Sequence, residues 1–557
     1  MRPGPWAGVL VAVAVGGAAC SSAPAVPPGA PALAARPVAQ PPALPVSGGA
    51  TSLVLPATTL SEDQRILHAL NRLAYGPRPG DVERVRRMGL AAYIDGQLDP
   101  RRIADPALEQ ALAAYPVLDR TAAALVHEYP LPTPQVRQKL AQGEMTRQDV
   151  AAMYPPERRP LVITTQMQAA RITRAVLSER QLEEVMVDFW FNHFNVYAQK
   201  GAVRWMVPAY EREAIRPHAL GHFRDLVRAT ARHPAMLFYL DNWLSTRSDF
   251  VLPRGPNAGR AVGLNENYAR ELMELHTLGV DGGYTQADVQ EVARAFTGWG
   301  IDQRAGAFVF RAGSHDQAAK TVLGQRLPAS QGKKDGEDVL DLLARHPSTA
   351  RFISTKLCRR LVSDTPSEAV VARGADAFTS TGGDLAEVLR AILGTADFWN
   401  EAFGSGKAKT PHEFVVSALR AIGAEVTSAR AVVEGRGGSS LTSMGMPTYE
   451  ALDPTGWSDR GTDWLPNPGS HLARMNFVLS LVSQTTEGVA VDLRTLIGSA
   501  DANSAAAVTA VVDQRIFGGT MPPDVASACR SVGSSGSLPA GFKVVGLALA
   551  SPAFQAR

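Results

Sequence analysis

The stretch 181-QLEEVMVDFWFNHFNVYAQ-199 decides how this chain folds. Read as a helix at about 100° per residue, Glu184, Asp188, Asn192, Asn195 and Gln199 fall on one narrow stripe. Nearly everything else is apolar or aromatic: Leu182, Val185, Met186, Val187, Phe189, Trp190, Phe191, Phe194, Val196 and Tyr197. A helix that is apolar almost all round is buried. Its stripe of two carboxylates and three amides, with no Lys or Arg, must then face either a strip of solvent or an internal polar cavity. His193 lies off the stripe, among the apolar residues.

Working outward, the next decisive stretch is 263-GLNENYARELMELHTLGVDGGYTQADVQEVARAFTGW-299. Its pattern predicts a helix over 265–278, with Leu264, Tyr268, Leu272 and Leu275 on one face. Glu266, Asn267, Arg270, Glu271 and Glu274 occupy the other face, and His276 lies in the apolar arc. Gly279 is a natural stop. Thr285 to Asp288 reads as a capping box opening the following helix. On a straight helix Glu271 and His276 stand about 140° apart, so they cannot hold one metal ion without help from another segment.

These two stretches place the candidate site between helices 181–199 and 265–278. Asp188 and Glu271 are the candidate acid/base groups or metal ligands. His193 and His276 are candidate bases or ligands set in apolar walls, surroundings that shift a histidine pKa. The competing reading makes both histidines ordinary core residues. Between the two stretches, His218, His222 and Asp225 recur at i, i+4 and i+7 after Pro217. On one helix two histidines four apart can grip a divalent or transition metal. The alternative is the wet face of an amphipathic helix interrupted by Gly221.

The flanks are simpler. Residues 1–20 read as a targeting segment: Arg2, then an apolar run over 8–19 too short to span a bilayer, then Gly17-Ala18-Ala19-Cys20. Small residues before a cysteine resemble a lipobox, which would put a lipid on Cys20 and anchor the chain to a membrane. Cleavage without lipidation is the rival reading. Either route exports the protein to the periplasm or the outer surface. Residues 21–56 are rich in Pro, Ala and Gly and read as a semi-extended tether. Residues 57–557 read as one large helical domain, with Ser61 and Asp81 as helix caps. The fold class is all-α and bundle-like, with long Pro/Gly loops and at most a short β-hairpin near 301–311. Two indoles, Trp457 and Trp464, sit on the loop 453-DPTGWSDRGTDWLPNPGS-470. They suit a packed anchor or a lid over a site.

Composition narrows the function. The formal net charge of +3 on 557 residues leaves no field to capture a phosphate backbone, so a nucleic-acid partner is not expected. The three cysteines form no CxxC and no zinc-like cluster. Cys358 falls in an apolar-periodic helix, where a buried thiol is expected; a Cys358–Cys529 disulfide is the alternative. There is no GxSxG, HExxH, Walker A or strand-linked GxGxxG.

The 263–299 stretch also resembles the signature of the domain of unknown function 1800 family. HALNRLAYGPRPGDVERV, FWFNHFNV, IRPHALGHFRDL, PAMLFYLDN, HDQAAKTVLG, HPSTARFISTKLCRRLV, KTPHEFVVSALRA and PTGW fit it in the same order, from about Leu60 onward. The resemblance implies a predominantly helical, exported bacterial protein and assigns no catalytic residue. It also implies, as a partner, an uncharacterised neighbour protein that resembles sulfatases and alkaline phosphatases. Two function classes follow. One is an exported enzyme with a polar or metal site. The other is a non-catalytic envelope protein that binds a partner or assembles a complex, through an apolar patch near Trp457 and Trp464.

Overall fold

The computed structural model describes residues 53–557, apart from 254–257, 303–304, 401–406, 436–439 and 534–537. The expected signal segment, most of the tether and Cys20 lie outside the described residues. Ordered packing begins before the expected boundary at residue 57. Leu53 is buried and its N–H donates to Asp95 Oδ2 at 3.3 Å.

Helices dominate, as the periodicity requires. The expected hairpin is present, Trp299–Asp302 against Ala307–Phe310, with Trp299 opposite Phe310. Two separate two-stranded antiparallel ladders are also present, Lys320–Val322 with Gln325–Leu327 and Glu425–Val426 with Val489–Ala490. No helix among the described residues is long and apolar enough to cross a membrane.

Local signals explain several helix ends. Ser61 accepts from Gln64 N while Gln64 reaches back to Ser61 N, a reciprocal cap. Thr285 and Asp288 do the same for the helix Gln286–Phe296. Asp81 is not a cap. Gly80 precedes that helix in a left-handed conformation, and Asp81 is buried against Arg420, Arg78 and Arg84.

The apolar side chains gather into two cores. The larger takes most of the central helix, Gln181–His193, with the helices Phe223–Arg232, Gln286–Phe296 and Pro347–Leu361. The smaller is built from the Pro411–Ala421, Pro468–Val482 and Ala540–Ala550 helices. The helix Leu161–Leu177 gives Ile163 and Met167 to the first core and Ile172, Ala175 and Val176 to the second. The central helix likewise turns Val185 towards the second core. Both helices therefore lie on the seam between the cores. Cys358 belongs to one core and Cys529 to the other, and both are free thiols. The alternative disulfide is not formed.

Two expected helices are shorter than their patterns. The central helix ends at His193, not Gln199. Beyond it the backbone finds partners elsewhere: Phe194 O accepts the Tyr210 hydroxyl at 2.8 Å and Ala198 N donates to Tyr449 O at 3.0 Å. The expected 265–278 helix is α-helical only over Asn267–Glu271 and continues as a π-turn, Leu272–Thr277. Its wider spacing is visible in Leu278 N donating to Met273 O at 2.8 Å.

Candidate functional site

Each polar residue of the 181–199 stripe has a structural partner. Glu184 is bidentate to Arg216, at 2.7 and 3.0 Å. Asp188 Oδ1 accepts from Arg171 Nη2 at 2.5 Å, and its Oδ2 lies 3.6 Å from Arg360 Nη2. Asn192 clasps Trp457, donating to its carbonyl at 2.8 Å and accepting from its N–H at 2.7 Å. Asn195 donates to Ala451 O at 3.0 Å and Asp453 O at 2.8 Å, and Gln199 to Glu450 Oε1 at 3.1 Å. The stripe is thus an internal rail on which the loop 446–459 is seated. The fit is close enough that a Cβ on Gly456, at φ +69°, would stand 2.4 Å from Asn192 O.

Between rail and loop a cavity of about 50 Å³ remains, room for a few waters or one small group. Its walls include Asp188, Arg171, Arg360, Lys407, His412 and Trp457. They come from five places in the sequence: the Leu161–Leu177 helix, the central helix, the Pro347–Leu361 helix, the loop 446–459 and, last, the Lys407–Glu413 segment. The last of these opens the Pro411–Ala421 helix, where Thr410 and Glu413 form a capping box.

The charges around this cavity form one network. Arg360 also pairs with Glu413, which Arg557 reaches at 2.9 Å. Lys407 Nζ pairs with Asp364 at 2.5 Å, and Lys356 pairs with the wall residue Asp459 at 2.5 Å. In these ion pairs five cationic side chains, Arg171, Arg360, Arg557, Lys356 and Lys407, meet four side-chain carboxylates, Asp188, Glu413, Asp364 and Asp459. Burial, then Arg557, brings the Lys407 ammonium down to about 8, and Asp364 restores only part of it. Burial pushes the Asp188 carboxyl up, but Arg171, then His412 and Arg360, outweigh it and hold it below its ordinary value.

His412 is the residue that sequence reasoning missed. It is 1% exposed, and neither ring nitrogen has a hydrogen-bond partner among the described residues. Burial takes its pKa to about 4. Asp188 opposes that shift, while Arg171 and Arg360 add to it. It is a neutral imidazole beside a carboxylate, the arrangement in which a proton taken up by the ring is stabilised at once. The Arg360 Nε and Nη2 are likewise buried without an acceptor within hydrogen-bond reach. The signal was legible in KTPHE: a histidine in the first turn of a capped helix, next to a glutamate.

The other candidates lie elsewhere. His193 and His276 do meet, His193 Nε2 donating to His276 O at 3.0 Å. They are enclosed by Phe189, Trp190, Phe194 and Phe352, and neither lines the cavity over Asp188, although Phe189 does. Burial holds His193 well below its usual range and takes His276 to about 3, and Lys356 adds to both shifts. Glu271 is half-buried, and burial, then Glu274, raises its carboxyl. The structure therefore does not join Asp188, Glu271, His193 and His276 in one cleft.

The expected metal-binding face is not formed. Arg216–His218 is a 3₁₀ turn, and His222 is extended, bridging Asp384 just before the helix Phe223–Arg232 begins. His218, His222 and Asp225 therefore do not share one helical face. Gly221 lies at the break, its carbonyl accepting Leu385 N at 2.9 Å. Among the described residues no group of three or more His, Cys, Asp or Glu is arranged to hold a metal ion.

Trp457 and Trp464 pack edge to face at 6.1 Å and are half-buried. Trp464 Nε1 donates to Ser458 O at 3.3 Å. Both indoles serve the loop, and Trp457 also walls the cavity.

A family model described as "Protein of unknown function (DUF1800)" matches residues 68–556. No curated protein and no solved structure matches the chain.

Proposed function

We propose that this chain, which belongs to the DUF1800 family of proteins of unknown function, is an acid–base enzyme of the cell envelope. Its substrate would be a small molecule bearing an anionic group, held in the cavity over Asp188. The observation that carries this reading is the cation excess of the buried network, five against four, around a cavity that includes an unpartnered neutral imidazole. A buried network short of one negative charge gains most by taking up an anion. Arg360 and Lys407 supply its counter-charge. His412 exchanges a proton with the bound molecule, and Asp188 stabilises the imidazolium while it lasts. Export, with a lipid on Cys20, rests on the targeting-like segment and the cysteine that ends it. Such an anchor and the tether would hold the helical body beside a membrane at the periplasmic or outer surface.

Calorimetric titration with acetate, sulfate and phosphate tests this and separates carboxylate from oxyanion preference. The expected result is one-to-one binding of one of them, weakened at least tenfold in Arg360→Gln, with the His412 imidazole titrating higher once the anion is bound. Equal, weak effects of all three on both proteins would overturn the reading.

A second reading, a binding or assembly role, is favoured by a different surface. On the Pro468–Val482 helix Leu472, Met475 and Leu479 are 60, 50 and 58% exposed, and Leu465 beside them is 40% exposed. Contiguous apolar exposure of this kind marks protein or membrane contacts. The sulfatase-like neighbour protein is the partner to test by co-purification. Retention that is lost in Leu472→Glu supports this reading, and no retention removes that partner.

A further inference from the structure

Lys409 lies two residues after Lys407 but faces a different cavity. That cavity is about 320 Å³, at the small end of the range for ligand pockets, and it opens to solvent. Ile516, Phe517, Pro522, Ala553 and Phe554 line it with Lys409. Among the described residues no Asp or Glu lines it, and Arg557 is the only other one with a charged side chain in its wall. The Lys409 side chain is 4% exposed. Its Nζ has no hydrogen-bond or ion-pair partner among the described residues and lies 3.5 Å from the centre of the Phe554 ring.

The backbone around it is pinned. Lys409 N donates to Gln555 O at 2.7 Å, Arg557 N donates to Lys407 O at 2.8 Å, and Lys409 O accepts from Arg474 Nη2 at 3.0 Å. The guanidinium of Arg474, from the Pro468–Val482 helix, is therefore held against the Lys409 backbone, and Arg557 shares the cavity wall with Lys409. The Phe554 ring face attracts an ammonium, but only modestly against burial with no Asp or Glu side chain in the wall. An amine desolvated next to other cations stays unprotonated, which is how a lysine becomes a nucleophile at neutral pH. The direction of its titration agrees: burial, then Arg557 and Arg474, hold it well below the ordinary lysine range.

We propose that Lys409 is a carbonyl-reactive site, forming a Schiff base with a small, mainly apolar aldehyde or ketone that enters this cavity. The Nζ lone pair adds to the carbonyl carbon. The carbinolamine so formed gives up its oxygen as water, with one proton from the nitrogen and one from solvent. Loss of the remaining iminium proton leaves the neutral imine. This site is separate from the cavity over Asp188 and does not depend on any activity there.

The folded protein would be incubated with isobutyraldehyde and sodium cyanoborohydride, whose hydride reduces the imine to a secondary amine. Peptide mass spectrometry then gives the rate at each lysine. At pH 7 Lys409 is expected to react at least tenfold faster than the exposed Lys334. Its rate should be nearly flat between pH 7 and 9, while that at Lys334 rises about tenfold per unit. Lys409→Met should remove the fast phase and leave Lys334 unchanged. Denatured protein should bring Lys409 to the rate of Lys334, showing that the fold confers the difference. Overturning results would be a rate at native Lys409 equal to or below that at Lys334, or the same steep rise with pH at both.

Discussion

The central helix has two chemical faces, and each holds a buried group whose titration is displaced from its usual value. On one, Asp188 is charged, touches two arginines and borders a cavity. On the other, His193 and His276 are neutral and packed among aromatic rings, with Lys356 the nearest charge acting on both. A displaced pKa is common to both faces and so does not distinguish a site from a core. The distinction lies in what surrounds the group. The Asp188 face has more charge than it can pair and space beside it. The histidine face has neither.

The largest effect should come from the charged face. Asp188→Ala leaves Arg171 and Arg360 facing each other in the interior and should cost about 3–5 kcal/mol in urea unfolding. A loss below about 1 kcal/mol would mean the network relaxes and the face is not electrostatically locked. Next comes pH. As pH falls through about 6.5 an unfolded chain protonates its histidines. Folded His276 does so only near 3. Between those values the unfolded form binds more protons, so stability falls with falling pH, by about 1.4 kcal/mol per unit for each such histidine. His276→Leu should flatten the slope of unfolding free energy between pH 6 and 4 by roughly one proton. An unchanged slope would show that the aromatic face is wetter than its packing implies.

Gly456→Ala probes the joint between rail and loop. The added methyl meets Asn192 in a backbone conformation that alanine resists. The expected cost is about 1–3 kcal/mol. Trp457 fluorescence should shift red as the loop lifts, whereas a cost without a spectral change would place the strain elsewhere. The smallest effect belongs to Glu271, which lies on neither face. Glu271→Gln should stay within about 0.5 kcal/mol of the parent in thermal unfolding. A larger loss would restore Glu271 as a structural or functional partner of the π-turn.

The helical fold and the central place of 181–193 were legible because both rest on hydrophobic period, which one sequence displays in full. Asp188 was legible too, as a carboxylate on a buried helix. Its partners were not. Arg171, Arg360 and His412 come from three other helices, and only tertiary packing brings them together. The pairing of His193 with His276 could be guessed as proximity, but the π-turn that aims the His276 carbonyl leaves no mark in composition. The His218–His222–Asp225 pattern failed for a local reason that was visible: Gly221 lies inside it, and the chain breaks there to bridge Asp384.

The segment from Lys407 to His412 has one further consequence. Lys407, Thr410 and His412 wall the cavity over Asp188, Ala408 faces a groove beside Arg460 and His471, and Lys409 faces the Phe554 cavity. Three consecutive side chains serve three compartments, and the bridge between Ala408 and Ala556 fixes which serves which. The assignment is encoded as register. A conservative substitution here alters one compartment, but inserting or deleting a single residue would reassign all three together. This short stretch should therefore tolerate changes of residue far better than changes of length.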